Sequence, residues 1–254
     1  MDVGANNRHM NDPKRNEKKV PPEWGEDSLS EFIENAWHNT FATFHNLKSW
    51  YVLLRDTHLV FDSIAHNLDR TPDWFASFFL FRSHSAFLAS VRLALSGQIP
   101  EAYMVLRGCL ENAFYGLYLT RTPTSRETWL RRHDNEKCKR TVRREFKVQN
   151  LLNLLKSEDV KLHYVASGLY DRTIDLGGHP NEKAFFSVMK QKKDDSELTF
   201  DSGYLIANEP ALHLALKSCA QIGICALSIF QRIYPERFDI LGLSDQLNLL
   251  KKGL

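Results

Sequence analysis

The sequence predicts an all-α fold, a single bundle of about six helices with a small β-hairpin excursion before the last long helix. Apolar residues recur mainly at spacings of three, four or seven along most of the chain, which is the pattern of one buried helix face. Serine, threonine and proline stand where these stretches begin, as expected at helix starts. Only one stretch, residues 185–206, is typical of paired strands. These three observations predict one helical domain.

The first half of the chain is predicted to form three helices. A capping box, Ser28-Leu29-Ser30-Glu31, begins the first helix, and the apolar face of that helix continues to near Leu68. Thr71-Pro72 begins the second helix, because a capping residue is followed by a proline that is preset for the first turn. This helix ends at Gly97, and Pro100 begins the third.

The second half is predicted to contain three more helices. A second capping box, Thr124-Ser125-Arg126-Glu127, begins a helix that runs to about Lys156 and is much more polar in its first half. A shorter helix is expected over 159–176. Asn208-Glu209-Pro210 caps the last long helix, which is rich in Ala and Leu and ends at Tyr234-Pro235.

The excursion lies between the last two major helices. Within residues 185–206, the polar run at 192–197 is predicted to be the turn of a hairpin. Pro180 fits instead the start of a short helix through Met189. The periodicity leaves both interpretations open for residues 182–189.

The composition indicates one globular protein. The 254 residues can bury a large core, and 43% hydrophobic with 25% charged residues is ordinary for such a protein. The net charge of +2 is too small to imply nucleic acid, so only local clustering of charge can do so. The four cysteines form no C-x-x-C pair and no metal-ligand spacing, so we expect no metal site and a reducing cytoplasm. No cofactor is predicted either. The longest apolar run, 74–81, is too short to span a bilayer, so no membrane association is predicted.

Three segments are predicted along the chain. Residues 1–27 are polar and proline-bearing without an apolar run, so we expect a disordered lead-in and no secretory signal. Residues 28–235 form the helical bundle domain. Residues 236–254 form a short C-terminal tail.

Polar residues follow one stripe of the second helix and one turn of the third. Arg82 and Arg92 belong to a stripe with steps of three and four, and Arg107 and Glu111 are one turn apart among apolar residues. An unpaired charge removed from water is costly, so charges placed there must be paired. Two interpretations stay open. One is an Arg–Glu pair that fixes helix register, and the other is an internal arginine cluster that receives an anion such as phosphate.

A basic segment occupies residues 126–147, with nine Lys or Arg against four Asp or Glu. This local excess would attract a polyanion in a salt-dependent manner, and Arg140, Arg143 and Arg144 are its candidate nucleic-acid contacts. The alternative is a solvated helix face on which opposite charges pair at i,i+4 spacing. The segment gives no sign of base reading.

The stretch DLGGHPNEKAF, residues 175–185, interrupts the helices. His179 precedes Pro180, which disfavours helical geometry, so the helix is expected to end by Gly177 or Gly178 in a left-handed cap. The imidazole would then lie near Asp175, Asn181 and Arg172. It is either a proton shuttle near neutral pH or a turn residue that bonds a backbone carbonyl. Asp175 and Asn181 join Arg82, Arg92, Arg107 and Glu111 as candidate anion- or nucleotide-binding residues.

The segments ALSGQIPEAYMVLRGCLENAFYGLYL (94–119) and LYDRTIDLGGHPN (169–181) together resemble the HEPN-like helical proteins of bacteria. The resemblance covers about residues 75–235 and includes Glu101, Arg107, Glu111 and His179. In many members, an Arg, four to six residues and a His form the core of a metal-independent ribonuclease. The resemblance therefore implies His179 as general acid or base and Arg172 as the residue that stabilises charge on the phosphate.

Two departures from the active pattern favour a binding role. Thr173 follows the arginine where active members carry a strongly polar residue, and the glycine pair breaks the helix that would hold Arg172 and His179 together. We therefore predict a HEPN-like binding module for RNA, a nucleotide or a protein partner, in a bacterial defence or stress setting. A homodimer is expected because the superfamily tends to dimerise through helices. The alternatives are a ribonuclease that uses His179 and Arg172, and a purely structural helical subunit.

Overall fold

The computed structural model describes residues 21–178, 189–193, 198–207 and 209–253. The chain divides into two compact units, Met1–Asn35 and Ala36–Leu254. The described part of the chain folds into eleven α-helices. They are α1 (Ser28–Asn46), α2 (Lys48–Ala65), α3 (Trp74–Leu95), α4 (Ile99–Arg121), α5 (Pro123–Leu130), α6 (Glu136–Glu145), α7 (Val148–Glu158), α8 (Val160–Thr173), α9 (Pro210–Ile233), α10 (Pro235–Ile240) and α11 (Leu243–Lys252).

Three shorter elements complete the described chain. A 3-10 turn spans Arg131–His133, and a π-helical turn spans Ile174–Gly178 directly after α8. Strands β1 (Met189–Lys193) and β2 (Leu198–Ser202) pair antiparallel, with Met189 opposite Ser202. Each strand contributes five residues to this pairing.

The predicted fold class is wrong in its count of about six helices and is corrected to an all-α architecture with eleven helices in the described residues. The paired strands Met189–Lys193 and Leu198–Ser202 lie where the hairpin was predicted. One reason is that two long predicted helices are broken. Leu47 separates α1 from α2 because its ψ of 39° departs from helical geometry. Asn135 begins α6 with an extended backbone and accepts a hydrogen bond from the Cys138 N–H at 2.9 Å. Periodicity of apolar residues does not detect such breaks, since the same face can continue across them.

The segment predicted as a short tail, 236–254, accounts for further helices. It contains most of α10 and all of α11, and α11 lies against α2 and α9. Phe238, Leu243 and Leu247 are buried there. Helices of six and ten residues give too few apolar residues for a clear periodic signal, so their burial appears only in the tertiary structure.

The core is centred on α4, which packs against α3, α8 and α9. Phe87 of α3, Leu106 of α4 and Phe230 of α9 are fully buried. The Ser83 hydroxyl donates to the Cys109 carbonyl at 2.8 Å, so a buried polar bond also joins α3 to α4. The core therefore fixes the position of α4 relative to the helices on either side of it.

Gly97 lies two residues beyond the end of α3, close to the position at which the sequence predicts that this helix ends. Its φ of +86° lies in the left-handed region, which favours glycine. Its carbonyl accepts from the Ile206 N–H at 3.0 Å, and the Asn39 side chain donates to the Ser96 carbonyl at 2.7 Å. This turn therefore holds α1 and the segment before α9 against the end of α3.

In the part of the chain that the structure describes, one helix is long and apolar enough to cross a membrane. It is α9, and 78% of its most apolar stretch is buried inside the protein. A buried core helix has the same length and composition, and α9 occupies that place between α3, α4 and α8.

Candidate functional site

Of the predicted catalytic pair, Arg172 is described, whereas His179 lies outside the described residues, as does Asn181. Arg172 stands in the last turn of α8 and is half-buried. Its Nη1 donates to Gln221 Oε1 at 2.7 Å and to Ser218 Oγ at 3.2 Å. Ser218 Oγ is in turn 3.0 Å from the Tyr103 hydroxyl. A chain of polar contacts therefore connects α8, α9 and α4.

Tyr103 stays protonated in this chain of polar contacts. Burial raises the pKa of Tyr103 to about 12, so the phenol keeps its proton at neutral pH. Among the described residues, no carboxylate forms an ion pair with Arg172. Its guanidinium is instead held by two neutral side chains of α9. These two hydrogen bonds hold α8 against α9.

The glycine pair does not form the left-handed cap predicted at Gly177 or Gly178. The helix continues from Thr173 into the π-helical turn, and the φ of Gly177 is not positive. A Cβ on Gly177 would lie 2.3 Å from the Pro100 carbonyl oxygen and 2.8 Å from Tyr103 Cβ. Glycine is therefore required because this turn packs directly on the first turns of α4. Asp175 lies partly buried in the same turn.

Arg107 and Glu111 form the ion pair that the sequence predicts. Arg107 Nε donates to Glu111 Oε1 at 2.8 Å, and the two side chains are 31% and 32% exposed. The Tyr170 hydroxyl donates to the same carboxylate oxygen at 3.1 Å, and Arg107 Cζ lies 5.5 Å from the Tyr170 ring centroid. Burial, with the nearby Glu111 charge, raises the pKa of Tyr170 to about 12, which keeps the phenol a donor. Tyr170 of α8 therefore links the ion pair of α4 to α8.

Arg82 and Arg92 do not form the internal cluster expected from their spacing. Both are exposed on α3, and no ion pair joins either of them to another described residue. The inward face of α3 carries Phe75, Phe79 and Phe87 instead. Apolar side chains take the interior because their burial is favourable, whereas an unpaired guanidinium stays in water.

The basic segment forms a distinct surface on α6. Lys137, Arg140, Arg143 and Arg144 are all exposed on the face opposite the buried Val142, and we call these four residues the basic face. The ion pairs in this segment are Arg131–Asp134 at 2.8 Å and Lys139–Glu136 at 3.3 Å. Within the described ranges, none of the four basic-face residues has an acidic partner. The two ion pairs of this segment are at i,i+3 spacing, and the alternative of a solvated helix face with i,i+4 pairs stays open beside the nucleic-acid interpretation.

Two further arginines lie partly buried near this surface. Arg126 Cζ is 4.9 Å from the Phe75 ring centroid, a cation–π contact. The Nε atoms of Arg126 and Arg132 are buried without a hydrogen-bond partner in the described part of the protein. A buried, unpaired N–H of this kind costs about 1–3 kcal/mol. Their charge adds to the positive potential of the segment.

A histidine pair was not predicted from the sequence. His58 Nδ1 of α2 lies 2.9 Å from His84 Nε2 of α3, and the His84 ring stacks on Phe61 with centroids 5.0 Å apart. Burial, and then the nearby His58, lower the pKa of His84 to about 4, so its ring is neutral at pH 7. In the sequence, His58 is only one position of the apolar face of the first predicted helix. No sequence pattern indicates that it contacts His84, 26 residues further along the chain.

Across the described ranges, no group of three or more His, Cys, Asp and Glu side chains could hold a metal ion. Three of the four cysteines, Cys109, Cys219 and Cys225, are buried. Burial raises the pKa of the Cys109 and Cys225 thiols to about 12, and raises that of Cys219 as well. These thiols act as apolar core groups and are not nucleophiles.

Comparison with known proteins gives no match. No family model, no curated protein and no solved structure matches the chain. The resemblance to HEPN-like proteins therefore stays a prediction from the quoted segments.

Proposed function

We propose that this chain is a HEPN-like, non-catalytic binding module that binds RNA through the basic face of α6. The observation that carries the proposal is the exposure of Lys137, Arg140, Arg143 and Arg144 on one helix face without acidic partners in the described chain. The bacterial defence or stress setting implied by the resemblance, and a cytoplasmic location, belong to the same proposal.

The layout of the basic face favours a polyanion over a mononucleotide. Lys137 and Arg144 are seven residues apart on α6, which corresponds to about 10 Å along the helix axis. A duplex carries one phosphate charge per about 1.7 Å of axis, so several phosphates can face such a row. A single nucleotide would engage only part of it.

The contacts expected at this face are to the phosphate backbone. Phe146, next to α6, is buried, and Trp129 packs against Phe75 and Phe79. Neither ring is placed to stack on an unpaired base. Binding through charge alone is independent of base sequence and weakens as salt rises.

The packing of Arg172 supports binding over cleavage. Its Nη1 is held by Gln221 and Ser218, whereas a residue that stabilises a phosphate must direct its donors toward the substrate. We therefore give Arg172 a structural role in the proposed module. Ribonuclease activity is the alternative that the cleavage assay described below would detect.

The proposed module is a homodimer, and the exposed face of α3 is its interface. Trp74, Phe78, Phe81 and Leu88 are large apolar side chains that stay exposed along this face. A two-fold axis pairs a surface with itself, and an antiparallel pairing that places Phe78 opposite Leu88 also places Trp74 opposite Arg92. The partner's arginine can then contact the indole ring, so apolar and cation–π contacts are satisfied in one register.

Charge reversal on α6 tests the RNA-binding proposal. We expect R140E/R143E/R144E to lower affinity for a fluorescent oligoribonucleotide at least about 100-fold at low salt, because three phosphate contacts become repulsive. The control K48E/K156E/K161E reverses three exposed lysines elsewhere and changes the net charge equally. Fluorescence anisotropy with single-stranded and duplex RNA, and with a mononucleotide as competitor, measures both variants. Equal losses in the two variants would contradict a localised site.

Incubation of the wild-type protein with the same RNA in chelator tests the absence of catalysis. The proposal expects intact RNA. Cleavage that is lost in His179→Ala would replace the binding module with the ribonuclease alternative.

A further inference from the structure

A second candidate site lies on another part of the protein, between α8, α9 and α11. It is a half-open cavity of about 320 Å³. Its walls are mainly apolar, with Leu162, Val165 and Leu169 from α8 and Ile224 and Cys225 from α9. A cavity of this size is at the small end of ligand pockets, which are mostly apolar with a few placed polar groups.

One charged residue lines this cavity, Lys251 of α11. The nearby ionic groups are already paired, since Arg232 contacts Asp159 and Arg121 Nε lies 2.7 Å from Glu158 Oε1. No carboxylate in the described chain pairs with Lys251. Burial, and then the Arg232 charge, lower the pKa of Lys251. Lys251 is exposed to solvent and is acted on by the Asp159 charge without a direct ion pair to it.

The remaining polar groups of the lining are largely engaged. Gln221 Oε1 accepts from Arg172 Nη1 at 2.7 Å, and the Ser228 hydroxyl donates to the Ile224 carbonyl at 2.8 Å. The Cys225 thiol is protonated because burial raises its pKa to about 12. The cavity thus presents mainly apolar walls and one cationic side chain, Lys251.

We propose that this cavity binds a medium-chain monocarboxylate, with the carboxylate on Lys251 Nζ and the acyl chain along the wall between α8 and α9. The wall runs from Ser228 to Gln221, seven residues or about 10 Å of helix, which suits an extended acyl chain of medium length. The ammonium complements the carboxylate, and the apolar side chains bury the methylene groups.

This site is independent of the RNA-binding proposal. It shares no residue with the basic face, and its single ammonium in an apolar cavity suits one anionic head group. Val165 is 54% exposed at the mouth, so a ligand can enter without a change in the core.

Octanoate is the probe, and octanol tests the contribution of the charge. We expect isothermal titration calorimetry at neutral pH to show octanoate binding to the wild-type protein, and at least about tenfold weaker binding to Lys251→Met, which keeps the apolar stem and removes the ammonium. Octanol should bind both proteins equally and weakly. Lys252→Met, an exposed neighbour outside the lining, should bind octanoate like the wild type.

Val165→Trp places a large side chain at the exposed mouth and should abolish binding of both probes. Circular dichroism checks that each variant folds. Three results would overturn the proposal: no octanoate binding at millimolar concentration, equal octanoate affinity in Lys251→Met and wild type, or octanol binding as tight as that of octanoate. The last result would indicate general apolar association.

Discussion

Arg172 Nη1 donates to Gln221 Oε1 at 2.7 Å, so the residue expected to stabilise a phosphate holds α8 against α9. The same nitrogen contacts Ser218, which continues to the buried Tyr103 of α4. A half-buried guanidinium with such partners is part of the packing of three helices. The contact between Arg172 and Gln221 therefore gives Arg172 a structural role and leaves the basic face of α6 as the part of the predicted site that is available to a ligand.

Arg172→Ala should therefore destabilise the protein without changing its affinity for RNA. We expect a loss of about 1–3 kcal/mol, because Ser218 and Gln221 lose a charged donor. Urea unfolding measures the change, and Lys161→Ala, an exposed residue of the same helix, is the control. Unchanged stability together with weaker RNA binding would assign Arg172 to the binding site instead.

Gly177→Ala should also be destabilising, by about 1–3 kcal/mol, since its methyl group would meet the Pro100 carbonyl and force α8 away from α4. Gly168→Ala provides the matched control in α8. Nothing lies within 4 Å of a Cβ there, so alanine should stabilise the helix by about 0.5–1 kcal/mol. Thermal and urea unfolding compare the two. A neutral Gly177→Ala would contradict the close packing of the π-helical turn.

The His58–His84 pair predicts a pH dependence of stability. The folded protein lowers the pKa of His84 to about 4, from the value of 6.5 usual for histidine, so below pH 6.5 the unfolded chain binds the proton more readily. Stability from this group is present above pH 6.5 and is lost as the pH falls toward 4. We expect a loss of about 1–2 kcal/mol after allowance for solvent screening.

His84→Gln should reduce this dependence. Unfolding free energies at pH 7 and pH 4.5 should differ less in His84→Gln than in the wild type. His133→Gln, at an exposed position in the 3-10 turn, should behave like the wild type. If His84→Gln keeps the full pH dependence, other groups are responsible for it.

The exposed face of α3 predicts the oligomeric state. Phe78→Asp should convert the proposed dimer to a monomer, because a carboxylate would lie opposite the apolar Leu88 of the second copy in the proposed register. Leu59→Asp changes an apolar residue of α2 that is 51% exposed and should leave the dimer intact. Analytical ultracentrifugation distinguishes the two. A monomeric wild-type protein would exclude this interface.

Helix starts were predicted best, because they depend on local chemistry. Prolines stand in the first turns of α4 and α9, at Pro100 and Pro210, as expected from the sequence. The start of α1 is close to the prediction but uses another residue. Asp27 Oδ1 accepts from the Leu29 and Ser30 N–H groups, so Asp27, outside the predicted capping box, caps this helix.

The arrangement of side chains across helices was predicted less well. The Arg107–Glu111 pair lies within one helix and follows from i,i+4 spacing, whereas Arg172–Gln221 and His58–His84 join residues far apart in sequence. The exposure of Arg82 also depends on which face of α3 packs inward. Such contacts are set by tertiary packing and leave no periodic signal in one sequence.

The salt dependence of RNA binding tests the basic face most directly. Four phosphate contacts predict that the logarithm of the association constant for single-stranded RNA falls with the logarithm of salt concentration with a slope of about −3. R140A/R143A/R144A should reduce this slope to about −1. An affinity that does not depend on salt, or a slope unchanged in the triple variant, would contradict RNA binding through α6.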